Sequence, residues 1–243
     1  MRLSRVIRTA FPLLVALPCA AQQSDTSPPP PREARYAQLQ HVRMYYELYG
    51  RDVPGPVRYA DLAADTAELL DRLGVRDADF VGWSDGGIIA LMLAVRRPDL
   101  VRRLVVVGAN AVPGREALTP ETRAMLASYR PRDDTVRAAE YARLSGDSAG
   151  GWAVVIGKLE RLWLEHPTPD ELTLDDLARI RAPTLVVSGD RDAVRLEHTL
   201  ELYRRLPDGA LLIVPGAEHS VLRDRPGWIN PLLRAFLDRT ATR

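Results

Sequence analysis

Three residues in this chain have the chemistry of a nucleophile, its base and an orienting acid. Ser84 lies in Gly82-Trp83-Ser84-Asp85-Gly86, a G-x-S-x-G pentapeptide. A serine hydroxyl is a weak nucleophile until a base takes its proton, and that base works best when a carboxylate fixes its tautomer. His219, in Gly216-Ala217-Glu218-His219-Ser220, suits the base, and Asp192, in Ser188-Gly189-Asp190-Arg191-Asp192, suits the acid. The pentapeptide does this chemistry only on a sharp strand-to-helix turn, which lifts the hydroxyl clear of the sheet. In that setting the backbone N–H of Asp85 faces a developing oxyanion, and the flanking glycines allow close backbone approach. The other histidines, His41, His166 and His198, have no comparable placement at a strand end.

The flanking sequence supplies that setting. Ala78 to Trp83 is a short apolar run, read as a buried strand, and Gly86 to Arg97 is an apolar helix stopped before Pro98. Leu104 to Val107, Thr184 to Val187 and Ala210 to Val214 are continuous aliphatic runs, as in parallel strands covered on both faces. Asp192 and His219 each follow such a run. They therefore fall at the carboxyl edge of one sheet, where open α/β sheets build their sites. Arg58 to Leu73 carries Leu62, Thr66, Leu69, Leu70 and Leu73 on one face and stops at Gly74, which predicts an amphipathic helix. Val42 to Tyr49 alternates and is aromatic-rich, so it predicts a further strand. Between Asn110 and Arg181 the signals are mainly helical and predict a cap, about residues 111–173, over the strand ends. Strands alternating with helices make the fold class α/β.

Composition narrows the function further. The 243 residues hold 33 Lys and Arg against 32 Asp and Glu, a net charge of +1, with no basic block to grip nucleic-acid phosphates. One cysteine and four scattered histidines give no disulfide framework and no basis for a metal site, and no cofactor is expected. The start of the chain differs from the rest. Arg2, Arg5 and Arg8 precede a short apolar stretch, Ala10 to Leu17, and the small residues Cys19-Ala20-Ala21 follow, the pattern of a signal peptide over residues 1–21. The stretch is too short to span a bilayer, and export to the periplasm or medium is the expectation. Residues 22–34, with Pro28 to Pro31, read as an extended linker before a domain over 35–243.

The chain resembles the α/β-hydrolase family over roughly Tyr59 to Asn110 and Leu174 to Leu237. Val81-Gly82-Trp83-Ser84-Asp85-Gly86-Gly87, then Pro98 and Val106-Val107-Gly108-Ala109-Asn110, is most similar to its biphenyl-hydrolase-like and aminoacyl-ester hydrolase branch. Ala182-Pro183 through Asp192 is similar to the family's acid segment, and Gly216 to His219 to its histidine loop. The resemblance implies a parallel sheet with helices on both faces and a small helical cap. It also implies Ser84 as nucleophile, His219 as base and Asp192 as acid, acting on a small ester or amide through an acyl-enzyme. The Asp85 side chain has two possible uses, the first in keeping with that branch and the second with its place at a helix start. The carboxylate would attract an amine on the acyl group, or it would cap the helix that follows.

The chain departs from this family at one place. Where the family has a strand, a His-Gly loop, a helix and a further strand, only Gly50 to Val57 stands here, and no His-Gly dipeptide occurs. Something on the order of 40 residues is absent by ordinary element lengths. The absent loop would donate the second oxyanion N–H, and its strands would flank the strand bearing Ser84. The sheet is therefore expected to be incomplete, with an apolar edge left open unless something unusual pairs with it. A non-catalytic member of the fold is the alternative reading.

Overall fold

The computed structural model describes residues 6–7, 55–112, 116–145, 151–165 and 171–239. The expected strand Val42–Tyr49, the linker and most of the export segment lie outside them.

Four strands form the body of one parallel sheet: β2 Ala78–Trp83, β3 Val101–Val107, β4 Thr184–Gly189 and β5 Gly209–Val214, in spatial order β2-β3-β4-β5. Because all pairs are parallel, every carboxyl end faces the same edge. A two-residue strand β1, Val6–Ile7, pairs with Asp79 and Phe80 on the outer side of β2. No strand pairs with Val81 to Trp83 on that side among the described residues. Among the described residues the sheet is incomplete, in line with the expectation from the sequence.

The strands alternate their side chains between two cores. Phe80, Leu104, Val106 and Val186 pack under α1 (Tyr59–Arg72), α2 (Asp85–Arg96) and α6 (Leu196–Arg205). Val105, Val107, Leu185, Val187 and Val214 pack under α7 (Val221–Asp224) and α8 (Pro226–Leu237). Helices on both faces explain why β3 and β4 read as unbroken apolar runs. β5 is an edge strand, and Gly209 to Ile213 are only partly buried, so its outer positions are not covered as the sequence pattern suggested.

β3 begins three residues earlier than the apolar run Leu104–Val107. Arg102 and Arg103 hid its start, and both have partners within the protein. Arg102 pairs with the buried carboxylate of Asp79, and Arg103 donates to the carbonyl of Arg239. Between β3 and β4 lie α3 (Pro120–Ser128), α4 (Thr135–Ser145) and α5 (Gly151–Leu164), so this region is helical as expected. No helix among the described residues is long and apolar enough to cross a membrane.

Candidate active site at the carboxyl edge of the sheet

Ser84 is the single residue between β2 and α2, and its backbone sits at φ 54°, ψ −124°. Side chains with a Cβ rarely take this conformation, which costs on the order of 1–3 kcal/mol unless the surroundings impose it. Here they do. Ser84 N–H donates to the Val107 carbonyl at 2.9 Å, and the Ser84 carbonyl accepts from Gly87 at 2.8 Å. A Cβ on Gly82 would stand 2.3 Å from the Gly86 carbonyl oxygen, so the first motif glycine is required by contact. The second is not. A Cβ on Gly86 would meet nothing within 4 Å, whereas one on Gly87 would stand 2.5 Å from Ala109 Cβ. The close approach expected at Gly86 belongs to its neighbour.

The turns after β4 and β5 bring Asp192 and His219 to the same place. They touch backbone to backbone: Arg191 N–H donates to the Ala217 carbonyl, and a Cβ on Gly189 would stand 2.1 Å from that oxygen. His219 Nε2 lies 3.0 Å from Ser84 Oγ, and His219 Nδ1 lies 2.8 Å from Asp192 Oδ1. A carboxylate only accepts, so Nδ1 carries the proton and Nε2 is left to accept from the serine hydroxyl. Asp192 is buried and also takes the N–H of Val194 at 3.0 Å. Burial pushes its carboxyl up, but the hydrogen bond and charge of His219 and the N–H donors of Val194 and Gly189 outweigh it. The net position is below the usual carboxylate range, so Asp192 is ionised at neutral pH.

Residues 30–232 match the sequence model of the Alpha/beta hydrolase family. The chain belongs to this family. Over 227 aligned residues it is 23% identical to (E)-2-((N-methylformamido)methylene)succinate hydrolase of Acinetobacter baylyi, with 86% of each chain covered. It is 26% identical over 194 residues to Serine hydrolase BPHL of Homo sapiens, covering 77% of this chain and 63% of that protein. The chain thus spans less than two thirds of that relative's length. Among solved structures, MGS-M2, an alpha/beta hydrolase enzyme from a Medee basin deep-sea metagenome library, superimposes with a TM-score of 0.61. The identity is 19%, over 79% of this chain and 76% of that one, and the likeness is one of fold.

In this member of the family the fourth sequence-predicted residue, Asp85, is the first residue of α2. Its N–H makes no hydrogen bond to another described residue. Its carboxylate does not cap the helix. Oδ1 accepts from the Tyr59 hydroxyl at 2.6 Å, and the Trp163 indole N–H points at both oxygens, at 3.2 and 3.1 Å. Burial pushes the Asp85 carboxyl above its ordinary value, with the two donors pulling the other way. Burial, and then the Asp85 charge, hold the Tyr59 hydroxyl well above its own ordinary value, so it stays protonated and donates.

Sequence reasoning missed Trp83, Tyr59 and Trp163. Trp83 Nε1 donates to the His219 carbonyl at 2.8 Å, and the two rings lie 5.7 Å apart. Aromatic residues in apolar runs read as core, and nothing local in the sequence marks the polar atom each one carries. A groove of about 690 Å³ lined by Val95, Pro98, Ile180 and Pro207, among others, lies at the amino ends of the strands and contains none of the site residues.

Proposed function

We propose that this chain is a serine hydrolase of small ester or amide substrates, working through an acyl-enzyme. The observation that carries the reading is the unbroken hydrogen-bond line Ser84–His219–Asp192 on a strained strand-to-helix turn. Ser84 Oγ attacks the substrate carbonyl while His219 Nε2 takes its proton, and the imidazolium then gives that proton to the departing alcohol or amine. A water, deprotonated by the same nitrogen, attacks the acyl-serine and restores the hydroxyl. Asp192 holds the ring in the required tautomer and offsets its charge. The free N–H of Asp85 supports one side of the oxyanion. Relatives named as hydrolases support the reaction class.

A non-catalytic role is the second reading, and the eight residues from Gly50 to Val57 favour it. They leave no room for the family loop that gives the second oxyanion N–H, and one such donor is worth about 10²–10³ in rate. Incubation with a fluorophosphonate separates the two. One label on the Ser84 peptide, absent in Ser84→Ala, supports the hydrolase; a folded protein that stays unlabelled supports the alternative.

Export is proposed from the n-region, short apolar stretch and small-residue site of residues 1–21. Cleavage after Ala21 would remove β1 from the outer side of β2. The intact mass of secreted material reads the start site: a chain beginning near Gln22 fits, and Met1 to Ala21 retained in the cytoplasm does not.

A further inference from the structure

The Asp85 carboxylate is partly buried beside the proposed nucleophile, and no Arg or Lys among the described residues hydrogen-bonds to it. Its partners are two neutral donors from helices far apart in sequence, α1 and α5. Tyr59 is the first residue of α1 and is 2% exposed. Trp163 is the second-last residue of α5, in the helical insertion. Tyr59 is tied at its other end as well, because its backbone N–H donates to Glu171 Oε1 at 3.1 Å. Glu171 is buried where the chain leaves the insertion and returns to the sheet. The exit of the insertion and the end of α5 are therefore fastened to the same tyrosine and aspartate.

We propose that Asp85 is a latch, holding α5 against the start of α2 through Trp163 and Tyr59. Tyr59 and Trp163 are then positioning residues for acyl transfer, acting through Asp85 rather than on substrate. A carboxylate removed from water needs donors, and hydrogen bonds to an ionised acceptor are stronger than those between neutral groups. Asp85 is also the residue whose main-chain N–H lies next to Ser84, so the side-chain grip and the main-chain donor share one Cα. Holding the carboxylate from two sides restrains the peptide plane that must meet the oxyanion. The latch also accounts for a partly buried carboxylate at this position without any amine on the substrate. It rests on the serine-hydrolase reading for its catalytic consequence and on geometry alone for its mechanical one.

Trp163→Phe and Tyr59→Phe each delete one donor and keep an aromatic ring. Amide hydrogen exchange in α5, with β3 and β4 as the internal reference, reads the mechanical part. Exchange in α5 rises roughly ten- to hundredfold in Trp163→Phe, the range of one charge-assisted hydrogen bond, while the strands stay at the wild-type level. Hydrolysis of p-nitrophenyl acetate reads the catalytic part: kcat falls about tenfold in each variant and KM stays put. The double variant loses less than the product of the two, because both act through one carboxylate. Unchanged α5 exchange in both variants overturns the latch, whether or not the wild type takes a fluorophosphonate label. A label absent from wild type, with α5 loosened in the variants, instead keeps the latch and removes the hydrolase reading. Loss of preference for amino esters in Asp85→Asn, with α5 exchange unmoved, would also overturn it.

Discussion

The indole N–H of Trp83 donates to the main-chain carbonyl of His219, so the residue before Ser84 holds the residue that accepts from Ser84. The bond joins the end of β2 to the turn after β5, at opposite sides of the main sheet. Trp83→Phe keeps the ring against the imidazole and removes only the donor. A neutral hydrogen bond contributes about 1 kcal/mol, which in a chain of this size moves the thermal midpoint by only about 2–4 °C. Catalysis is more sensitive to a small displacement of the base than stability is. We expect kcat/KM for an ester to fall roughly tenfold in this variant. Equal kcat/KM in variant and wild type would show that the turn holds His219 without help.

The glycines of the pentapeptide are predicted to differ. Gly82→Ala drives a Cβ into the Gly86 main chain, where nothing can swing aside, and should cost about 1–3 kcal/mol and the sharp turn with it. Gly86→Ala meets open space and adds helix propensity near the start of α2, so its midpoint should match or exceed wild type. Thermal unfolding of the two variants checks this, and a Gly86→Ala protein as damaged as Gly82→Ala contradicts it.

These contrasts mark where the sequence was readable. The α1 helix and β2 were legible to within a residue, because their patterns are local: a 3.6-residue apolar stripe ending at Gly74, and a six-residue apolar run ending at the pentapeptide. Ser84, Asp192 and His219 were legible because each follows a strand, and parallel strands carry whatever follows them to one edge. The grip on Asp85 was not legible. Tyr59 and Trp163 lie 26 and 78 residues away from it, and Trp83 lies 136 from His219. No period or spacing links such pairs, since packing alone decides them. Arg102 and Arg103 misled for a related reason, because a charge held by a partner distant in sequence looks like a surface charge.

The strained backbone of Ser84 is held by main-chain bonds to Val107 and Gly87, so strain and chemistry can be separated by substitution. Ser84→Ala and Ser84→Gly both lose the proposed nucleophile, and both should take no fluorophosphonate. Only glycine adopts φ 54°, ψ −124° without steric cost. Its greater freedom in the unfolded chain offsets part of that gain. The net expectation is that Ser84→Gly unfolds about 1 kcal/mol later than Ser84→Ala. Calorimetry that ranks them the other way would mean the surroundings impose no strain here.

His198 makes the protein's stability depend on pH in a direction that can be worked out. Its Nε2 accepts the Ala111 N–H at 3.1 Å, tying the segment that leaves β3 to α6. Only a neutral imidazole has a lone pair there, so protonation removes the acceptor and sets a charge against a donor. Burial is the main cause that lowers the pKa of His198 in the folded chain, with Arg195 adding to it and Glu201 opposing. The unfolded chain binds this proton near the ordinary histidine value of about 6.5, and the folded chain only at lower pH. In that interval the unfolded state holds more protons, so stability falls as pH falls. The contribution is complete above about pH 7 and is lost on the way down through the folded value. In His198→Gln the side-chain oxygen still accepts, but nothing titrates. His219, His41 and His166 are present in both proteins, so their effects cancel in the difference. We therefore expect the wild-type midpoint to exceed that of His198→Gln most at pH 7.5 and the gap to shrink by pH 5. A gap that stays constant across this range, measured by thermal unfolding in matched buffers, would show that His198 is not held neutral by the fold.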